Sequence, residues 1–182
     1  MRKNASSPPA FWLRLRRQAE QNRLVCTSSH PLGVRMSSAD DRFAIIAALD
    51  RYAECLDTRD WKGLADVFSQ DVEIDFGVWR ATDLDGVRKN ISQFLDSCGP
   101  SQHLLGNYRI TLDGDRAASR CYCRVMHFGK DEHAGKTYET WLEYSDQWVR
   151  GTAGWRSVSR VAKAMMQQGD PTLLGIPPDL KF

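Results

Sequence analysis

An aspartate and a histidine that can share a proton stand at the ends of two different elements. Asp57 closes an apolar helical segment in the stretch CLDTRDWKGLADVF, and His103 opens the strand-like run QHLLGNYRITL. In a pocket that holds little water, a carboxylate fixes the tautomer of a neighbouring imidazole, and the other ring nitrogen becomes a general base. The pair therefore predicts acid–base chemistry. The competing interpretation of Asp57 is a solvated residue at the end of a helix.

Four other side chains are candidate contacts for a small molecule. His127 closes RCYCRVMHF, where strand alternation places it on a face of small apolar residues that is typical of a pocket. Tyr144 and Asp146 lie on one face of YETWLEYSDQW, with strand surface or a subunit interface as their competing interpretation. Trp79 could line a pocket for an aromatic or polycyclic ligand, although core packing is the commoner use of tryptophan.

Metal and cofactor chemistry find little support in the sequence. The stretch HFGKDEHAGK holds two His and two acids, but its composition indicates a solvated hairpin tip rather than convergent ligands on rigid elements. The chain has no G-x-G-x-x-G, P-loop or G-x-S-x-G motif. Cys121 and Cys123 are interpreted as small core residues rather than as a reactive pair. We expect neither a metal nor a cofactor.

Three helices are predicted in the first half of the domain. The first spans Asp40–Asp57, where apolar residues recur at helical spacing: Ile45, Leu49, Tyr52 and Leu56. Asp60 is expected to cap a short second helix. A strand over Val72–Phe76 follows, and Asp85 is expected to cap the third helix.

After Gly99 and Pro100 the hydrophobic period becomes two, which predicts strands. A hairpin turns at Asp113–Gly114, and two further long strands follow, KTYETWLEYSDQWV and WRSVSRVAKAMM. Strict alternation would place His103 on the polar face of its strand, so a bulge near Gly106 is needed to turn it inward. This order of elements predicts an α+β fold, in which a strongly curved sheet wraps around its helices and leaves a pocket.

The charge distribution separates a basic leader from one folded domain. Residues 1–36 hold seven Lys or Arg against one acid, although the whole chain of 182 residues has a formal charge of +2. We expect a flexible leader over 1–36, disordered or preceding a functional start at Met36, and a folded domain over 37–165. A membrane-surface or nucleic-acid role for the leader sequence RLRRQ is the alternative. The folded part is mildly acidic, which argues against a nucleic-acid partner.

The remaining features concern the tail and the compartment. Residues 166–182 place Leu173, Leu174, Ile176 and Leu180 among prolines, so their apolar groups are expected to form a lid over the pocket or to contact a neighbouring subunit. No window approaches the ~20 apolar residues of a membrane span. An odd cysteine count without a secretory segment predicts a cytoplasmic protein.

Several segments together resemble the SnoaL-like branch of the nuclear transport factor 2-like superfamily, which includes scytalone dehydratase, bile-acid 7α-dehydratase and hexachlorocyclohexane dehydrochlorinase. The similarity covers 38–161. It is carried by DRYAECLDTRDWKGLADVF, SQHLLGNYRITLDGDRA, CRVMHF and GWRSVSR, in this order. The resemblance implies a cone-shaped barrel of a mainly antiparallel sheet around three N-terminal helices. It also implies that Asp57 faces the cavity with His103 beside it, and that His127 is a pocket residue.

The resemblance also implies a function. It favours a cofactor-independent lyase, a dehydratase or isomerase, for a small cyclic or polycyclic oxygenated substrate, assembled as a homodimer or homotrimer. Tyr52 resembles a tyrosine of the bile-acid enzyme, and Tyr52 or His127 would polarise a carbonyl or protonate a departing hydroxyl. Leu56 and Phe76 depart from the tyrosines of scytalone dehydratase. The alternatives are a non-catalytic small-molecule-binding domain, or a supporting subunit similar to the small subunit of ring-hydroxylating dioxygenases.

Overall fold

The computed structural model describes residues 38–177, which contain two α-helices and six β-strands. The helices are α1 (Ser38–Thr58) and α2 (Leu84–Leu95). The strands are β1 (Phe68–Asp75), β2 (Arg80–Ala81), β3 (Ser101–Asp113), β4 (Arg116–Phe128), β5 (Thr137–Gly151) and β6 (Gly154–Gly169). Short 3-10 helices occur at Lys62–Asp66, Asp131–His133 and Pro171–Leu174. The predicted leader and Leu180 lie outside the described residues. No helix between 38 and 177 is long and apolar enough to cross a bilayer.

One sheet holds all six strands in the order β2-β1-β6-β5-β4-β3. Strands β1 and β6 pair in parallel and every other pair is antiparallel, so the sheet is mixed. It is strongly curved but open, with β2 and β3 as its edges. The predicted α+β class and the curved sheet are confirmed.

The predicted second helix is a single 3-10 turn rather than an α-helix. Its N-cap is Trp61, not the predicted Asp60, although Asp60 one residue earlier accepts a hydrogen bond from the backbone nitrogen of Gly63 at 3.0 Å. A Cβ atom at Gly63 would lie 2.4 Å from both Arg51 Nη2 and Asp60 Oδ2, so a larger residue there would displace the ion pair between these two side chains. Within residues 38–177 the curved sheet therefore packs on two α-helices rather than three.

The cap of α2 differs from the predicted one. Asp83, not Asp85, is the N-cap, because its extended backbone lets Oδ1 accept from the backbone nitrogen of Gly86 at 2.7 Å. The buried side chain of Leu84 already belongs to the helix. Asp85 lies in the first turn and pairs with Arg88 at 2.9 Å.

Three contacts at successive levels hold α1 along β3. Arg42 donates to the carbonyl of Ile110, and the hydroxyl of Tyr108 donates to Asp50. At the far end of the helix Asp57 meets His103. Helix and strand therefore run in opposite directions, and the end of α1 lies beside the start of β3.

The predicted bulge in β3 is confirmed. The register between β3 and β4 shifts between Gly106 and Arg109, where Asn107 takes a left-handed conformation with φ 56°. Before the bulge His103 is buried, and after it Ile110 is buried, although the two positions have opposite parity. The irregularity lets one strand present the histidine and the later apolar residues to the same interior.

We expect Asn107→Ala to lower the free energy of unfolding by about 1 kcal/mol, because a left-handed backbone disfavours a residue with an ordinary side chain. Asn107→Gly should leave that free energy unchanged or raise it, since glycine adopts positive φ freely. Urea denaturation followed by tryptophan fluorescence measures both, with exposed Gln102→Ala on the same strand as a control. Equal losses in the alanine and glycine variants would contradict the role of the left-handed residue.

Candidate active site

The side chains of Asp57 and His103 are in direct contact. The Nδ1 atom of His103 lies 2.6 Å from Asp57 Oδ1, and the backbone nitrogen of His103 donates to Asp57 Oδ2 at 2.9 Å. A carboxylate at Nδ1 requires the proton on that nitrogen, so Nε2 is left as the basic atom of the ring. The arrangement is that of an oriented general base.

A third donor completes the surroundings of Asp57. The hydroxyl of Ser101 donates to Asp57 Oδ1 at 3.1 Å. Burial opposes the charge of Asp57, but the hydrogen bonds from His103 and Ser101 outweigh it, so the pKa of Asp57 lies below its ordinary value. The carboxylate is therefore ionised at neutral pH and can stabilise a protonated His103.

His103 lines an apolar cavity of about 100 Å³ between the two helices and the concave face of the sheet. The walls come from α1, the β1–β2 connection, α2, strands β3 to β5 and the segment after β6. They consist of Tyr52, Leu56, Phe76, Val78, Trp79, Ile91, Phe94, Leu95, His103, Val125, His127, Tyr138, Thr140, Leu142, Tyr144, Leu174 and Ile176. Asp57 is not among them. It lies behind His103 with a quarter of its side chain exposed, so the expectation that Asp57 itself faces the cavity is wrong.

His127 is the second histidine of the cavity, and it is neutral. Burial is the main cause that lowers its pKa to about 3, and the neighbouring His103 lowers it further. Its Nδ1 atom lies 3.3 Å from the carbonyl oxygen of Tyr138, which can only accept, so Nδ1 carries the proton and Nε2 is an acceptor. The two imidazole rings stand perpendicular, with their centroids 5.8 Å apart.

Tyr52 and Tyr144 line the cavity and lie edge to face, with ring centroids 5.8 Å apart. Burial raises the pKa of Tyr52 to about 12 and raises that of Tyr144 as well. Both therefore keep their hydroxyl protons at neutral pH and can donate hydrogen bonds.

Asp146 is buried beneath these tyrosines and does not line the cavity, which corrects its assignment as a substrate contact. Its Oδ1 atom accepts from Arg160 at 2.8 Å and from the hydroxyl of Ser157 at 3.0 Å. Tyr144 and Asp146 share one face, as predicted, but the carboxylate is committed to a buried cation.

The guanidinium of Arg160 stacks against the tyrosine rings, 4.2 Å from the centroid of Tyr52 and 4.6 Å from that of Tyr144. Burial disfavours its charge, but Asp146 and the two tyrosines raise the pKa of Arg160 above its ordinary value. A fixed positive charge thus lies directly behind two tyrosines of the cavity wall.

Sequence reasoning missed Arg160. The available signal was Asp146, since an acid at an inward strand position needs a cation, and the following strand offers one. A register shift between Gln147 and Trp148 hid the inward orientation of Arg160 from simple alternation.

Trp79 and two residues of the tail line the cavity, whereas Trp148 lies in the core. Trp79 stacks on Phe76 at the cavity wall, with centroids 4.6 Å apart. Trp148 is a core residue whose indole donates to Ser119. Leu174 and Ile176 line the cavity from the C-terminal side, and whether the tail acts as a lid stays a prediction.

Within residues 38–177, no group of three or more His, Cys, Asp or Glu is placed to hold a metal ion. Cys121 and Cys123 are buried and free, and burial raises their pKa values to about 12 and about 11. Their thiols are therefore protonated core groups.

The fold and the site define the class of the protein. Residues 37–161 match the SnoaL-like domain, and the chain belongs to that family. The fold is similar to that of a nuclear transport factor 2-like superfamily protein from Salmonella enterica, with a TM-score of 0.65 and 16% identity, covering 70% of this chain and 93% of that chain.

Particular relatives agree with this assignment. An uncharacterised protein of Mycobacterium tuberculosis is 31% identical over 136 residues, which cover 73% of this chain and 91% of the relative. Two solved structures from Novosphingobium aromaticivorans are also similar. A candidate aromatic ring hydroxylase has a TM-score of 0.69 and 26% identity, covering 76% of this chain and 99% of its own. A candidate scytalone dehydratase has a TM-score of 0.62 and 20% identity, and the match covers 71% of this chain and 90% of that protein.

The neutral state of His127 predicts a pH dependence of stability. The unfolded histidine takes up a proton near pH 6.5, whereas the folded one resists protonation down to about pH 3, so stability is lost as the pH falls. Between pH 7 and 5 the unfolding free energy of the wild type should fall by about 2 kcal/mol more than that of His127→Gln.

Chemical denaturation at pH 7, 6 and 5 measures this difference. The pKa of Asp57 is also lowered in the folded state, so its stabilising contribution is likewise lost as the pH falls, but only below its ordinary pKa of about 3.9, outside this window. Parallel pH profiles for the wild type and His127→Gln would contradict a neutral buried His127.

Proposed function

We propose that the protein is a cofactor-independent lyase of the dehydratase or isomerase type, which acts on a small cyclic oxygenated substrate. The observation that carries the proposal is the 2.6 Å contact between Asp57 and His103 at the wall of an apolar cavity. Membership of the SnoaL-like family and the similarity to a candidate scytalone dehydratase support the reaction class.

The shape and charge of the cavity limit the substrate. Among the described residues no Lys, Arg, Asp or Glu lines the cavity, so an uncharged compound fits it best. A volume of about 100 Å³ is close to that needed for one ring, since engineered cavities of about 150 Å³ bind benzene. We therefore favour a single ring over a polycyclic system.

The reaction begins with proton abstraction. His103 Nε2 takes a proton from a carbon next to a carbonyl, and Asp57 stabilises the resulting imidazolium. Tyr52 and Tyr144 donate hydrogen bonds to the carbonyl oxygen as negative charge develops there, and the buried Arg160 cation stabilises the same charge from behind. The mostly apolar walls offer few hydrogen-bonding partners to water beside the intermediate.

The fate of the proton decides the outcome. In a dehydration, the carbon–oxygen bond to a β-hydroxyl breaks, and the imidazolium of His103 returns the proton to the departing hydroxide as water. In an isomerisation the proton returns to a different carbon. His127 has no proton on Nε2 at neutral pH, so its role is to accept a hydrogen bond from a substrate hydroxyl, not to protonate the leaving group.

A direct test uses 3-hydroxycyclohexanone as the probe, with enone formation followed by ultraviolet absorbance and exchange of the α-protons in D₂O followed by NMR. Asp57→Asn and His103→Ala should lower the rate by roughly 10² to 10⁴, because each removes the oriented base. His133→Gln, a histidine that does not line the cavity, is the matched control and should retain the rate.

A second candidate is a non-catalytic domain that binds a small molecule, or a supporting subunit of a larger enzyme. Leu56 and Phe76 line the cavity. At the positions that resemble these two residues scytalone dehydratase has tyrosines, so the difference favours binding without the dehydration that those tyrosines support. The similarity to a candidate aromatic ring hydroxylase favours the supporting subunit. Probe binding with no proton exchange above the Asp57→Asn rate would support this candidate and contradict the lyase.

We also propose a homodimer or homotrimer in the cytoplasm. The outer face of the sheet exposes four apolar side chains around a second groove: Leu104, Tyr122, Met165 and Met166. Such a group of neighbouring exposed apolar residues is typical of a contact with another subunit. Light scattering should give two or three times the mass of the chain, 20.7 kDa, and Met166→Glu should reduce it. A wild-type monomer at micromolar concentration would contradict the assembly.

A further inference from the structure

Arg59 lies two residues after Asp57 and outside the cavity wall, yet its backbone and side chain are both specialised. It has a left-handed backbone, with φ 61°, which is uncommon for a residue other than glycine. This conformation turns the chain away from the end of α1 and directs the side chain toward the segment that precedes β3.

The guanidinium of Arg59 connects that segment to the helix. Its Nη1 atom donates to the carbonyl of Leu56 and, at 2.8 Å, to the hydroxyl of Ser101. Its Nη2 atom donates to the carbonyl of Gly99 at 2.7 Å and lies 3.4 Å from the sulfur of Cys98. A single planar group thus connects the two chain segments that carry Asp57 and His103.

These contacts determine the direction of one proton. Arginine has only donors, so the oxygen of Ser101 must accept from Arg59, and the hydroxyl proton of Ser101 remains for Asp57 Oδ1 at 3.1 Å. The same Oδ1 atom contacts the ring of His103 at 2.6 Å. The resulting chain of donors runs from Arg59 through Ser101 to the carboxylate that orients the base.

We propose that Arg59 and Ser101 are positioning residues for the Asp57–His103 pair, which they hold in the geometry needed for proton abstraction. The inference rests on the proposed function for its effect on rate, but its structural part does not. Without the Ser101 hydroxyl, Asp57 has fewer fixed donors and the carboxylate can rotate, so its bond to the imidazole lengthens.

The test measures the NMR resonance of the proton on His103 Nδ1, which a close carboxylate shifts downfield, together with kcat for 3-hydroxycyclohexanone. Asp57→Asn should remove the downfield signal and so assign it. Ser101→Ala should move it upfield and lower kcat roughly 10-fold or more, the range found for outer partners of metal ligands. Ser101→Thr keeps the hydroxyl and should restore both readouts. Thr58→Ala removes a hydroxyl that donates to the carbonyl oxygen of Glu54 within α1, and this variant is the neighbouring control.

Arg59→Lys retains the charge but replaces the planar fork by a single ammonium group, so it should change the resonance in the same direction as Ser101→Ala. If Arg59→Lys fails to fold, Ser101→Ala alone decides the result. An unchanged resonance and kcat in Ser101→Ala would overturn the inference while leaving the lyase intact. A resonance that responds in a protein without turnover would instead reject the lyase and retain the positioning role.

Discussion

The hydrogen bond between His103 and Asp57 depends on a match of length between α1 and β3. From position 42 to position 57 the helix rises about 22 Å, at about 1.5 Å per residue. From 103 to 110 the strand spans about 23 Å at most, at about 3.3 Å per residue. Because Arg42 holds the carbonyl of Ile110 at one end, the carboxylate arrives beside the imidazole at the other. A change in the length of either element would separate the two groups even if every side chain were kept.

Charge is arranged around the cavity rather than in it. Asp57 lies behind His103, and the Asp146–Arg160 pair lies behind Tyr52 and Tyr144, so the wall itself consists of neutral groups. A low-dielectric interior makes each of these charges effective at a distance, while the paired arrangement limits the cost of burying them. The same arrangement explains why His127 is neutral, since it is buried close to His103 and, in the part of the chain that the structure describes, forms no ion pair with an acid.

Much of this geometry was readable from local patterns, and the exceptions have physical causes. Alternation in β4 placed His127 inward, and the conflict between His103 and the apolar residues of its strand required a bulge, which Asn107 supplies. The cap of α2 was misplaced because Asp83 and Asp85 both suit a helix start, and only the burial of Leu84 separates them.

The roles of Asp146 and Arg160 were not readable in this way. The two residues are direct partners on β5 and β6, next to a register shift between Gln147 and Trp148, and alternation along one strand does not reveal which residue of the other strand lies opposite. Contacts that depend on the relative register of two strands can be identified only from the structure of the assembled sheet.

The position of β6 in the sheet has a consequence for the growing polypeptide. The last strand lies between β1 and β5, and two residues that line the cavity, Leu174 and Ile176, follow it. On the ribosome, strands β1 to β5 therefore emerge before β6 can join them, and the cavity lacks part of its lining until residues 174 and 176 have been translated. The complete set of residues that line the cavity is therefore available only after Leu174 and Ile176 have been synthesised.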